Sequence, residues 1–241
     1  MNALLAFDTA TEHMSIALAL GDSVWAHEAA GGALASAALI PAILALLARS
    51  GVALRDVDAI AFGQGPGAFT GLRTACSVAQ GLAIGAGKPV LPIDTLLAVA
   101  EDARARQPAW RGWVTMDARM DEVYAGHYQF AAGQWQVLAA PALLTPLALN
   151  AIWEHAPPQA VAGNALAVFS HRLQTGPAVL FPTALPRAAA MLPLARQLAL
   201  RGGALDAALA LPTSLRDKVA QTPAEREAAK ANAAVRSAEV S

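Results

Sequence analysis

The residues best suited to chemistry stand in two short stretches. Asp8-Thr9-Ala10-Thr11 closes an apolar run that begins at Ala3. A carboxylate and hydroxyls at the end of a first strand can face a nucleotide's phosphates or their metal. They can equally cap local N–H groups in a turn. No glycine follows Asp8, unlike a phosphate loop. The second stretch is Gly63-Gln64-Gly65-Pro66-Gly67-Ala68-Phe69-Thr70-Gly71-Leu72-Arg73. Glycines between a strand and a helix let backbone N–H groups face an anion, and the helix N-terminus adds partial positive charge. No Gly-Lys-Ser/Thr follows, so this is not a Walker A loop. It also departs from the dinucleotide fingerprint, with Thr70 in the third glycine's place, although Asp94 ends the next strand. The alternative is a tight turn for close packing. Asp8, Thr9, Gly65 and Gly67 are the candidate nucleotide contacts, and Asp117 holds the place equivalent to Asp8 in the second half of the chain.

Other catalytic constellations are missing. The histidines at 13, 27, 127, 155 and 171 include no pair three to five residues apart, so no helical metal pair exists. Cys76 is the single cysteine, which excludes a thiolate metal site and an intrachain disulfide. No Gly-x-Ser-x-Gly elbow occurs. Neither a catalytic residue nor a metal ligand is expected. A reducing, cytoplasmic setting without a leader is expected from the lone cysteine and the lack of a basic, apolar N-terminal pattern.

These residues are positioned by alternating strands and helices. Runs at Ala3–Asp8, Met14–Leu20 and Ser23–Ala29 predict an antiparallel meander, since so short a spacing leaves no room for parallel crossovers. A helix is predicted from Leu34 to Arg49, a strand from Val57 to Phe62, a loop from Gly63 to Thr70 and a helix from Gly71 to Ala86. A strand at Pro89–Ile93 leads into a helix capped by Asp94 and running to Arg106. Strands at Gly112–Asp117, Glu122–Phe130 and Gln134–Ala139 then repeat the opening pattern, followed by helices near Pro146–His155 and Ala188–Arg201. The repetition predicts an α/β fold of two similar lobes, each with a mixed sheet and helices. The divisions expected are residues 1–107, 108–220 and a polar, alanine-rich flexible tail at 221–241.

The 241 residues carry a net charge of -1 and are 56% hydrophobic and 15% charged. No Lys/Arg run offers the basic footprint of autonomous nucleic-acid binding. Residues 29–48 hold no charge and are long enough to raise a membrane span. Ala29-Ala30-Gly31-Gly32, Ser36 and Pro41 argue instead for a helix covered on several sides. From Leu34 to Ala48 only Ser36 is polar, so this helix lacks the polar back of a one-sided surface helix. The next helix is rich in Gly and Ala. Together they predict a large apolar patch of the kind that marks a partner site. The candidate interface residues are Leu34, Ala38, Pro41, Ala45, Arg73, Ala75, Val78, Ala79 and Leu82.

Phe7-Asp8-Thr9-Ala10-Thr11, Gly65-Pro66-Gly67-Ala68-Phe69-Thr70-Gly71-Leu72-Arg73 and Asp117-Ala118-Arg119-Met120-Asp121-Glu122-Val123-Tyr124 together closely resemble the bacterial TsaB (YeaZ) family, over roughly residues 3 to 218. The resemblance implies an actin-like, two-lobed ASKHA fold. It implies a scaffold role in making N6-threonylcarbamoyladenosine in tRNA (t6A37), as the non-catalytic paralogue of the transferase TsaD. TsaB-like proteins pair with TsaD through helices of the first lobe and recruit the ATPase TsaE. tRNA is then met indirectly through the complex. No cofactor of this chain's own is implied, and ATP or ADP is expected at a shared subunit surface. TsaD-like proteins carry a His-x-x-x-His metal pair after the strand that follows the glycine-loop helix; the matching positions here are Thr95 and Val99. Two departures stand out: Ala35-Ser36 replaces the family's His-Ser, and Pro212-Thr213-Ser214-Leu215-Arg216 replaces its Pro-x-Tyr-Leu-Arg. An actin-like phosphotransferase and a peptidase are the alternatives. A homodimer is expected for the isolated chain, because an apolar patch without its partner tends to pair with itself.

Overall fold

In the computed structural model, which describes residues 1–216, the chain folds into two five-stranded sheets. The expected tail at 221–241 lies outside the described residues. The first sheet opens with a meander of β1 (Ala3–Asp8), β2 (His13–Leu20) and β3 (Ser23–Ala30). Helix α1 (Ala35–Ser50) crosses to β4 (Ala59–Gly65), which pairs parallel to β1. Helix α2 (Phe69–Ala86) crosses to β5 (Val90–Asp94), parallel to β4, and α3 (Thr95–Arg104) follows. The second sheet repeats the plan. It comprises β6 (Trp110–Asp117), β7 (Val123–Ala131) and β8 (Gln134–Leu144), then α4 (Pro146–His155), β9 (Ala160–Ala162), α5 (Ala165–Val168), β10 (Val179–Phe181) and α6 (Ala188–Leu200). The strand orders β3-β2-β1-β4-β5 and β8-β7-β6-β9-β10 are the same topology twice.

Local chemistry sets the helix ends. Asp94 caps α3 by accepting from the amides of Leu96 and Leu97, and Thr145 caps α4 with Pro146 in its first turn. Gly51 and Gly87 stop α1 and α2 in left-handed conformations, at φ 70° and 65°. The glycine loop is shorter than expected. Strand β4 continues through Gly65 and α2 begins at Phe69, because Gly63–Gly65 pair with Ile93–Asp94 across a bulge. Strands β9 and β10, three residues each, and the single-turn α5 have no counterpart in the expected elements; they are too short to show a period.

The two faces of the first sheet are packed differently. Leu5, Phe7, Ile16, Leu18, Ile60 and Phe62 meet Leu39, Ile43 and Leu46 of α1 and the small residues of α2. The opposite face presents Ala6, Ala17, Ala19, Ala59 and Ala61. These small side chains let α6 lie close against the sheet, so α3 and α6 are held between the two sheets in one continuous core. Alternation along each strand separates the two sets. The division expected at residue 107 lies between α3 and β6, but the second half of the chain does not stay in the second lobe. Beyond α6 packing on the first sheet, residues 203–216 return along its edge. Leu205 exchanges both backbone hydrogen bonds with Val90 at 2.9 Å, and the Thr213 amide donates to the Gln64 carbonyl at 2.7 Å. Arg216 then reaches the second lobe, pairing with Glu122 at 2.6 Å.

Polar bonds at the lobe junction connect buried groups. The Tyr128 hydroxyl donates to Asp94 Oδ2 at 2.8 Å, and Trp135 Nε1 donates to Glu101 at 2.8 Å. The Ser15 hydroxyl accepts from the Ala188 amide at 2.7 Å. Burial pushes the Asp94 carboxyl above its ordinary range, against the pull of the Tyr128 hydroxyl and two backbone amides. Tyr128→Phe removes one of those donors from a buried carboxylate and is expected to lower stability by about 1–3 kcal/mol. Urea denaturation at neutral pH measures this, and an unchanged midpoint and slope would show that the hydroxyl contributes nothing net.

Candidate functional site

Two features stand apart from the packed core: an interlobe cleft and the outer face of α1 and α2. The cleft is a hollow of about 240 Å³ with walls from both lobes. Thr11, Glu12, Gly67 and Phe69 approach from the first, and Asp117, Arg119, Tyr124 and Asn164 from the second; Ser214 and Arg216 lie at its edge. Arg119 pairs with Glu12 across it at 2.8 Å and with Asp117 at 3.2 Å. The volume is below the roughly 300–1,000 Å³ of pockets that hold drug-sized ligands.

Of the four residues expected to contact nucleotide, only Gly67 lines this cleft. Asp8 is 1% exposed, and its own chain satisfies it. Its Oδ1 accepts from the Ala10 amide at 2.7 Å, and its Oδ2 accepts from the Thr95 hydroxyl at 3.1 Å. The Thr95 oxygen in turn accepts from the Gly65 amide at 3.1 Å. Thr9 is fully buried and donates to the Gly71 carbonyl at 2.7 Å. The glycines are likewise filled by protein. A Cβ on Gly63 would lie 1.7 Å from Asp8 Oδ2, and one on Gly71 would lie 1.9 Å from the Thr9 carbonyl oxygen. Gly65 turns at φ 120° against the Thr213 carbonyl. Asp8, Thr9 and Gly65 thus face protein and do not line the cleft. These residues form a close-packed joint between the end of β1, the β4 bulge, α2 and α3. Of the alternatives in the sequence, the turn and tight-packing readings describe this joint. Asp117 repeats the turn of Asp8, accepting from the Arg119 amide at 2.9 Å, but it opens onto the cleft.

Thr95 and Val99 are both fully buried. Thr95 is used by Asp8 and Gly65, and Val99 belongs to the interlobe core. Among the described residues, no three His, Cys, Asp or Glu side chains converge as a metal site would require.

The outer face of α1 and α2 has another character. Leu34, Ile40, Leu44 and Ile84 are 63%, 43%, 52% and 65% exposed. Pro41 and Ala45 are exposed beside them, and Ala38, Val78 and Leu82 are half-buried. Ala75 and Ala79 are the corrections to the expected interface set. Both are fully buried under α2, where their size lets that helix approach the sheet. The sequence left open which side of α1 turns outward; Ile40, Pro41, Leu44 and Ala45 do, while Leu39, Ile43, Leu46 and Leu47 face the sheet. Residues 32–50 are long and apolar enough to cross a membrane. Their inward side is nevertheless built into the first lobe's core. Neither helix contains Asp or Glu. Ile40, Leu44 and Ile84 were not among the expected interface residues; an even apolar composition gives no phase by which to choose them. Of the two departures in the sequence, Ala35 is buried at the start of α1 and Ser36 is exposed beside it.

Two sheets of one repeated topology, with two helices sandwiched between them and a cleft at the strand ends, define a two-lobed, actin-like α/β protein. Residues 32–228 match the family model described as tRNA N6-adenosine threonylcarbamoyltransferase (TsaD). The tRNA threonylcarbamoyladenosine biosynthesis protein TsaB of Escherichia coli is 40% identical over 144 residues, covering 59% of this chain and 62% of that protein. TsaB of Haemophilus influenzae is 46% identical over 122 residues, covering 50% and 51%. The matches thus span about half to three fifths of these curated relatives. The structure of YeaZ from Pseudomonas aeruginosa superposes with a TM-score of 0.79 at 40% identity, covering 88% of this chain and 99% of that one. The chain belongs to the TsaB (YeaZ) family.

Burial pushes the Asp8 carboxyl up to about 7, against the opposing pull of the Ala10 amide and the Thr95 hydroxyl. The folded protein thus holds this proton up to about pH 7, whereas the unfolded chain releases it near 3.8. The associated stability is complete below pH 3.8 and is lost as the pH rises through 7. Asp8→Asn keeps the shape without the titration. Its stability relative to the parent is expected to rise between pH 4 and 8, by on the order of 4 kcal/mol. Urea denaturation at a series of pH values checks this, and a constant difference would refute it.

Proposed function

We propose that this chain is the non-catalytic scaffold subunit of a t6A37-synthesising complex. On this reading it uses α1 and α2 to pair with a TsaD-like transferase and helps recruit a TsaE-like ATPase. It meets tRNA only through the assembly, in the cytoplasm. The observation that carries the proposal is the exposed apolar face of α1 and α2, which has no acidic residue and includes Ile40, Leu44 and Ile84. A face of this kind is costly to leave in water and characteristic of a partner site. Membership of the TsaB family supports the choice of partner. On the family resemblance, Thr95 and Val99 match the positions of the transferase metal pair, and neither is a strong ligand, which supports leaving transferase chemistry to that partner.

The phosphotransferase alternative loses its support with Asp8, whose carboxylate is spent on Ala10 and Thr95 and sealed from the cleft. Nucleotide then belongs to a surface shared between subunits and not to a site of this chain alone. The peptidase alternative has no metal cluster among the described residues to support it.

Size-exclusion co-elution with the TsaD-type protein of the same organism tests the pairing. Ile40→Glu and Leu44→Glu, both on exposed positions, are expected to abolish co-elution while leaving the melting temperature within a few degrees. Ala79→Glu buries an unpaired charge beneath α2 and is expected to unfold the chain, a loss of about 3 kcal/mol or more. Retained co-elution of both exposed variants would show that the partner docks elsewhere.

A further inference from the structure

We infer that Arg73 selects the partner: it is the receptor for a carboxylate carried by the helices that dock on α1 and α2, and it disfavours pairing of two copies of this chain. The inference rests on the pairing proposed above and adds the chemistry of its occupant. Arg73 lies in the first turns of α2, with its guanidinium carbon 3.4 Å from the centre of the Phe69 ring. A guanidinium held over a ring face in this way keeps N–H donors available for a partner. Phe69 is itself 40% exposed, so the stack stands on the surface. A shallow hollow surrounds it, lined by Ser36, Thr70, Thr74, Ser77 and Val78, and its hydroxyls add donors around the guanidinium. Among the described residues no carboxylate lies within ion-pair distance of Arg73, whereas Arg104, Arg119, Arg172, Arg187 and Arg216 each have one.

Charge complementarity decides the occupant. The other charged residue on these two helices is Arg49, in the last turn of α1. A twofold pairing of this face with itself therefore brings no acidic residue of either helix to Arg73, whatever the register. Where the self-paired contact is confined to these helices, it must either keep the guanidinium at a wet rim or bury it without a counter-charge, which is unfavourable. A different protein with an apolar two-helix face of matching shape and one Asp or Glu opposite the Phe69–Arg73 stack avoids that cost. It also gains a bidentate, charge-assisted contact. Discrimination of this form combines an attraction to the right partner with a penalty against the wrong one.

The test uses the full chain and the TsaD-type protein of the same organism. Hetero-pairing is measured by titration calorimetry and self-association by sedimentation, with thermal melting as the control for folding. Arg73→Met is expected to weaken hetero-pairing at least tenfold and to tighten self-association, with the melting temperature unchanged. Arg73→Glu is expected to weaken hetero-pairing further, and one Asp or Glu to Arg change on the partner's matching helices restores it. Hetero-affinity of Arg73→Met within twofold of the parent overturns the inference. A tenfold loss that no partner charge reversal repairs also overturns it, since the contact is then packing alone. If the parent protein does not bind, or if Ile40→Glu binds as well as the parent, the pairing itself has failed, and that result is separate from any effect at Arg73.

Discussion

A carboxylate that the protein keeps for itself organises the first lobe. Asp8 ends β1 with almost no exposure, and its two oxygens are bonded to Ala10 and Thr95. That arrangement leaves no room for a side chain at position 63, and it links the start of α3 to the bulge of β4 through the Thr95 hydroxyl. The glycines that follow continue the same joint, with Gly67 against Ala10 and Gly71 against Thr9. Backbone packs on backbone here, and this fixes where α2 leaves the sheet. The direction of α2 in turn sets how it lies beside α1, and so shapes the apolar surface outside.

The repeat in the chain makes the contrast between its halves informative. Asp8 and Asp117 end equivalent strands and each accept from the amide two residues on. One is enclosed by glycines and helix starts, and the other opens on the cleft beside Arg119 and Asn164. The halves are also not independent bodies. Helix α6 needs the alanine face of the first sheet, and the segment ending at Arg216 lies along the edge of the first lobe before it pairs with Glu122 on the second. A cleft spanned by Arg119–Glu12 and edged by Arg216 is suited to holding the lobes in register.

Much of this architecture was legible in the residues because periodic patterns are local. The opening meander, both long helices of the first lobe and the strands after Pro108 follow from alternation, composition and turn signals, and the structure places them within a few residues of those expectations. The glycine loop left two readings open in the sequence, a cradle for an anion and a tight packing turn, and local pattern does not separate them. Glycines that admit a phosphate and glycines that admit a carbonyl oxygen look alike in sequence, and only Thr9, Ala10 and Thr213 distinguish the two. Strands β9 and β10 escaped notice because three residues carry no period. The return of residues 203–216 to the first lobe escaped because no local pattern announces a contact with Val90 or Gln64.

By itself the sequence determined the two-lobed α/β plan, the Asp94 cap of α3 and the presence of more apolar helix surface than one sheet face absorbs. Those properties depend on residue type, spacing and composition, which neighbours along the chain already express. The tertiary structure alone decided which side of α1 is outside, that Ala75 and Ala79 are core while Ile40 and Leu44 are surface, and that Asp8 is sealed. A uniformly apolar helix has no phase to read, and a buried carboxylate is recognised only by the groups that enclose it. Both depend on contacts between segments far apart in the chain, and those exist only once the sheets and helices have closed on one another.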